Sequence, residues 1–298
     1  MPTLAPPIAA ALALAITAHG APRADTIEPA LPLVLDVRKD AWDRLTLPVS
    51  IGEKGPFHFL IDTAAERTVV SDAVATRLGL APRERGIVLG IAGTKEVATV
   101  DVDDIRYGNV SYDGGGAPVL GAGDLGADGI VGLDGLADHR VLFDFAHDRV
   151  ALIDPRSREA RDDFDIIVTA RRRGDQLILA NATIDGVHAD IVIDTGAEFS
   201  IGNRALQRAL AHRARAEGTT LHSVTGQEIP AEYAVVRELA IDRITISNPF
   251  ITYADAPTFA ALRLDRRPAL LLGMKDLRLF RRFAIDFAKR KILFDLPS

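Results

Sequence analysis

Short runs of alternating apolar and polar residues, divided by glycine-rich turns, fill most of the chain, and this two-residue period predicts β-hairpins. "LTLPVSIGEKGPFHFLIDT" (45–63) alternates, turns at Gly52 to Gly55 and returns. "ANATIDGVHADIVIDT" (180–195) does the same around Asp185-Gly186, a strong two-residue hairpin signal. Each hairpin leads into a short segment of helical pattern. "SDAVATRLGL" opens on Ser71 as N-cap and stops at Gly79, and "NRALQRALAHRARAEG" starts at Asn203 and is expected to run to Gly218. A second hairpin with glycine at its tip follows in each case, "IVLGIAGTKEVATVDV" around Gly93 and "LHSVTGQEIPAEYAVV" around Gly226. Then come an apolar-apolar-glycine step (Ile130-Val131-Gly132, Leu271-Leu272-Gly273), one short helix and a closing hairpin, "RVLFDFAHDRVALID" or "RFAIDFAKRKILFDL".

These events recur in one order, so the chain is a duplication. Asp62-Thr63 and Asp194-Thr195 lie 132 residues apart, as do Thr68 and Ser200. The closing hairpins are offset by 142, so the extra residues of the second half fall between its glycine-tipped hairpin and its closing hairpin. The charged segment "DPRSREARDD" reads as the connection. The expected organisation is a leader at 1–24, one lobe at 25–155, a linker at 156–163 and a second lobe at 164–298. Short strands, glycine turns and few helices predict an all-β class.

A length of 298 residues suffices for two cores, and 48% apolar with 26% charged residues is the balance of a globular protein. A formal net charge of −6 gives no reason to expect nucleic acid, and the basic triplet Arg171-Arg172-Arg173 is expected to be a solvated strand end. No cysteine is present, which excludes disulfides, a thiolate nucleophile and a Cys-based zinc site. The apolar run 8–18, followed by Ala18-His19-Gly20-Ala21, has the length of a signal-peptide core and is too short to span a bilayer as a helix. It predicts cleavage after Gly20 and export to a periplasmic or extracellular location, with no stable membrane insertion of the processed chain.

The chemistry rests on the repeated aspartate. A carboxylate at the end of a buried strand needs hydrogen bonds, and the following Thr and small residue supply a hydroxyl and close backbone N–H groups. A pseudo-two-fold axis would bring Asp62 and Asp194 together, where they would share a proton and titrate as a unit. The ionised partner can then deprotonate a water while the protonated one polarises a carbonyl. No metal or cofactor is called for: the histidines show no metal-ligand spacing, and no G-x-S-x-G elbow accompanies a His/Asp pair.

"IDTGAEFS" and "IDTAAERT", with the apolar-apolar-glycine steps and the glycine-tipped hairpins, resemble the retropepsin-like aspartic peptidases, over nearly everything from Leu45 to Leu296. The resemblance implies a bilobed acid-protease fold made of two retropepsin-like β-barrel lobes with short helices, both in one chain. It implies an aspartic endopeptidase acting on peptide or protein substrates as a monomer, without cofactor, with Asp62 and Asp194 as catalytic pair. Thr63, Ala64, Thr195 and Gly196 would support the pair, Gly93 and Gly226 would be flap tips, and Gly132 and Gly273 would brace the loops. One departure is Ala64, where the family has glycine, so a peptide-binding protein with weak or no activity is the alternative. A glycoside hydrolase with two carboxylates is disfavoured, since no aromatic sugar platform is evident. Glu66 and Glu198 are expected at the rim of the site, biasing it against acidic substrates, and Trp42 in the core.

Overall fold

The computed structural model describes residues 8–10, 14–15, 33–40, 44–157, 160–173, 176–211 and 216–297. Trp42, most of the leader including the expected cleavage point, and residues 158–159 of the linker lie outside the described residues.

The repeated pattern folds into two similar β lobes, each an eleven-stranded sheet, standing on a shared six-stranded sheet. In the first lobe, strands Leu45–Ile51 and Lys54–Ile61 form the hairpin that delivers Asp62, and Val69–Ser71 leads into helix Asp72–Leu78. In the second, Gln176–Ile184 and Val187–Ile193 deliver Asp194, and Ser200–Asn203 leads into helix Arg204–Leu210. The Asp185-Gly186 turn has positive φ at both residues (47° and 76°), the geometry that matches the twist of a two-residue hairpin.

Both helices are capped by equivalent side chains. Ser71 accepts from Val74 N and Asn203 from Leu206 N. The first helix ends on left-handed Gly79, as its sequence predicts. The second corrects the expectation. It stops at Leu210, well before Gly218, and a strand, Glu217–Ser223, begins soon after. Leu206 and Leu210 are its buried residues, and the Ala-His-Arg-Ala-Arg that follows brings no large apolar side chain to hold a further turn.

The closing hairpins do not stay within their own lobes. Arg140–Asp144 pairs antiparallel with Arg282–Asp286 across the molecular base, flanked by Arg149–Ile153 and Lys291–Asp295. Phe143 stacks on Phe283 at 4.5 Å between ring centres. Arg140 is buried there, 2.8 Å from Asp286 and 2.7 Å from Asp162, and it donates to the Arg161 carbonyl. The linker is therefore fastened to this sheet. No helix among the described residues is long and apolar enough to cross a membrane.

Candidate active site

The apolar-apolar-glycine steps place the two aspartates. Ile130 and Val131 run parallel to Leu60 and Ile61, and Asp62 N donates to the Val131 carbonyl at 3.1 Å. Leu271 and Leu272 run beside Val192 and Ile193, and Asp194 N donates to Leu272 at 3.0 Å. The glycines that follow must lack a side chain. A Cβ on Gly132 would lie 2.6 Å from the Arg67 backbone, and one on Gly273 would lie 2.5 Å from that of Phe199. Each motif loop is further pinned by a hydroxyl. Thr68 donates to Asp134, and Ser200 donates to Asp276 while accepting from Gly273 N.

Asp62 and Asp194 are both fully buried and are held identically. Asp62 Oδ1 accepts from Ala64 N at 2.8 Å and Ala65 N at 3.0 Å, while Asp194 Oδ1 accepts from Gly196 N and Ala197 N at 3.0 Å each. Oδ2 of each accepts no hydrogen bond from the described residues. Thr63 and Thr195 tie the loops across the pseudo-axis. Thr63 Oγ1 donates to the Ile193 carbonyl and Thr195 Oγ1 to that of Ile61, at 3.0 and 2.7 Å, while each hydroxyl accepts from the other threonine's N–H.

Burial pushes Asp62 up to about 7, against the pull of the Ala64 and Ala65 N–H groups and of the Arg44 charge. Asp194 is held well above its ordinary value by burial first and then by the charge of Asp62. The two therefore titrate as one coupled unit.

Ala64 fits this geometry. It is buried, its N–H makes the same bond as that of Gly196, and neither residue has a positive φ, so the position does not require glycine.

The hairpins Pro82–Gly90/Gly93–Val102 and Glu217–Ser223/Glu228–Val235 meet at their tips. Lys95 Nζ donates to the Thr225 carbonyl at 2.5 Å, and Gln227 Nε2 to that of Thr94 at 3.2 Å. Gly93 and Gly226 sit at this junction with φ of +145° and +75°.

Two residues escaped the sequence reading. Buried Arg44 pairs with Asp40 at 2.6 Å and donates to the carbonyls of Leu125 and Gly196, and buried Gln176 donates to that of Ala64. Their signal was the repeat itself, since they too are 132 apart. Arg173 corrects another expectation. Arg171 and Arg172 are exposed, but Arg173 is half-buried and donates to the carbonyls of Leu262 and Arg263.

A comparison with curated proteins finds no significant match. The family model described as "Aspartyl protease" matches residues 47–134 and 180–275, one region in each lobe and together more than half of the chain. The chain belongs to the retropepsin-like aspartyl proteases.

Proposed function

We propose that the protein is an aspartic endopeptidase in which Asp62 and Asp194 form the catalytic pair within one chain. The observation that carries this reading is the matched hold on the two carboxylates: Oδ1 of each is fixed by two backbone N–H groups, and Oδ2 is left for reacting partners. The pair shares one proton, and in the step that follows Asp62 is taken as the ionised partner and Asp194 as the protonated one.

Asp62 takes a proton from a water whose oxygen bonds to the scissile carbonyl carbon, and Asp194 gives its proton to the carbonyl oxygen. The resulting gem-diol collapses as the C–N bond breaks. The leaving nitrogen takes the proton from Asp62, and one diol hydroxyl returns its proton to Asp194. Both carboxyls finish as they began, and no covalent enzyme intermediate is formed.

An extended peptide fits the flaps by strand addition, in which backbone hydrogen bonds give affinity and alternate side chains enter pockets. Export of the chain, cleaved after Gly20, and action as a monomer belong to the same reading.

The test is turnover of a quenched-fluorescent peptide library by the wild type and by Asp62→Asn and Asp194→Asn. Each variant should lose turnover while staying folded, with a cooperative thermal transition no lower than that of the wild type. Near wild-type turnover by Asp62→Asn alone would overturn the intrachain pair and point to pairing of Asp194 between two chains.

A further inference from the structure

The second lobe is longer than the first between Ala254 and Leu272, whose counterparts are Leu120 and Val131. This longer connection carries helix Pro257–Ala261, at the place of the shorter helix Ala122–Leu125 in the first lobe, and it packs against the first flap strand Pro82–Gly90. A cavity of about 460 Å³ opens beneath it, lined by Glu66 from the first lobe and by Arg173, Gln176, Arg263 and Arg267 from the second. It adjoins the catalytic loop, because Gln176 donates to the Ala64 carbonyl and Glu66 is four residues beyond Asp62.

Charge in this cavity is unbalanced. Arg267 pairs with Asp190 at 2.9 Å. Arg173 donates to two carbonyls, which fixes its guanidinium without neutralising it, and neither it nor Arg263 has a carboxylate partner among the described residues. With Arg267 balanced by Asp190, Arg173 and Arg263 face the carboxylate of Glu66, and the lining carries net positive charge. Guanidinium recognises carboxylate with two parallel hydrogen bonds and is more easily desolvated than an ammonium.

We propose that this cavity is a subsite for an acidic side chain of the substrate, so that the protease selects Asp or Glu at a position set back from the bond it cuts. The proposal rests on the peptidase reading and deepens it. The extra length belongs to one lobe only, so the subsite also breaks the two-fold symmetry of the cleft and fixes the direction in which a peptide lies.

The test uses peptides with a central statine, a non-cleavable tetrahedral mimic, and one Glu stepped from four residues before it to four after, against the same series with Gln. Binding is measured by calorimetry, and the parallel cleavable series is followed by mass spectrometry. At one position Glu should bind the wild type about tenfold more tightly than Gln. Arg263→Glu should abolish that preference, and high salt should weaken it. Equal affinity of the two series at every position overturns the subsite, as does a preference that survives in both Arg263→Glu and Arg267→Glu, and so does failure of every peptide to bind. Glu-selective binding without cleavage keeps the subsite and removes the peptidase reading, while cleavage without selectivity does the reverse.

Discussion

Arg44 and Gln176 occupy the same place in the two lobes, and each donates to the backbone carbonyl of the third motif residue in the opposite lobe, Gly196 at 3.5 Å and Ala64 at 3.0 Å. The lobes are thus cross-tied by side chains as well as by the threonine hydroxyls. The ties differ in character. Gln176 is neutral, whereas Arg44 brings a buried ion pair with Asp40. Removing Gln176 leaves a buried carbonyl unpaired, so Gln176→Ala should cost about 1–3 kcal/mol. Arg44→Ala breaks the buried ion pair with Asp40 and should cost more, about 3–5 kcal/mol. Urea unfolding of the two variants checks the order, and a smaller loss for Arg44→Ala would contradict it.

This cross-tie also marks where sequence reading stops. The repeated Asp-Thr, the caps Ser71 and Asn203, the glycine-tipped hairpins and the brace glycines are local signals, each tied to a turn, a helix end or a close backbone approach. A single chain displays them without knowledge of its partners. Arg44 and Gln176 carry no local signal, because their role depends on a carbonyl more than a hundred residues away. The pairing of Arg140–Asp144 with Arg282–Asp286 is hidden for the same reason, since either hairpin reads as complete in itself. Arg173 misled because a basic triplet usually points to water, and only the loop containing Leu262 and Arg263 gives it another place to go.

The raised aspartates bear on stability in a definite direction. In the unfolded chain both ionise near 3.8, whereas the folded protein holds its protons well above that value, up to about 7 for Asp62. The stability contributed by these groups is therefore fully present below about 3.8 and is lost as pH rises through the folded values. Asp194→Asn should melt close to the wild type at pH 4 and several degrees higher at pH 7, read by calorimetry. A variant that loses stability steadily as pH rises past 5 relative to the wild type would reverse the sign. For the same reason the bell-shaped activity profile should lie closer to neutrality than ordinary carboxylates would place it.

Ala64 tests whether the departing motif weakens the site. Its N–H already donates to Asp62 and its backbone requires no positive φ, so Ala64→Gly should leave kcat within about threefold. The added backbone freedom should lower stability by about 0.5–1 kcal/mol. Steady-state kinetics and thermal unfolding of the one variant read both effects. A gain in kcat approaching a hundredfold would mean that the methyl group misaligns the loop, and would favour the weakly active alternative.

The leader offers a last test, because two of its short strands lie along the flaps. Ile8–Ala10 pairs in parallel with Leu221–Ser223, and Leu14–Ala15 pairs antiparallel with Leu89 and Val88. Opposite pairing senses are what one strand must have if it lies across two flaps related by a two-fold axis, since the axis reverses one flap relative to the other. Both pairings use the outer edge of a flap's first arm, the edge that strand addition by a substrate would need. The leader should therefore compete with substrate, and a chain beginning at Ala21 should have a lower KM than the full chain with little change in kcat. A synthetic peptide of residues 6–17 should inhibit the shortened chain competitively. N-terminal sequencing of the protein from its host should find the shortened form outside the cytoplasm, starting near Ala21. Equal KM for the two forms, with no inhibition by the peptide, would show that substrate does not use these edges, even if the dyad variants behave as expected.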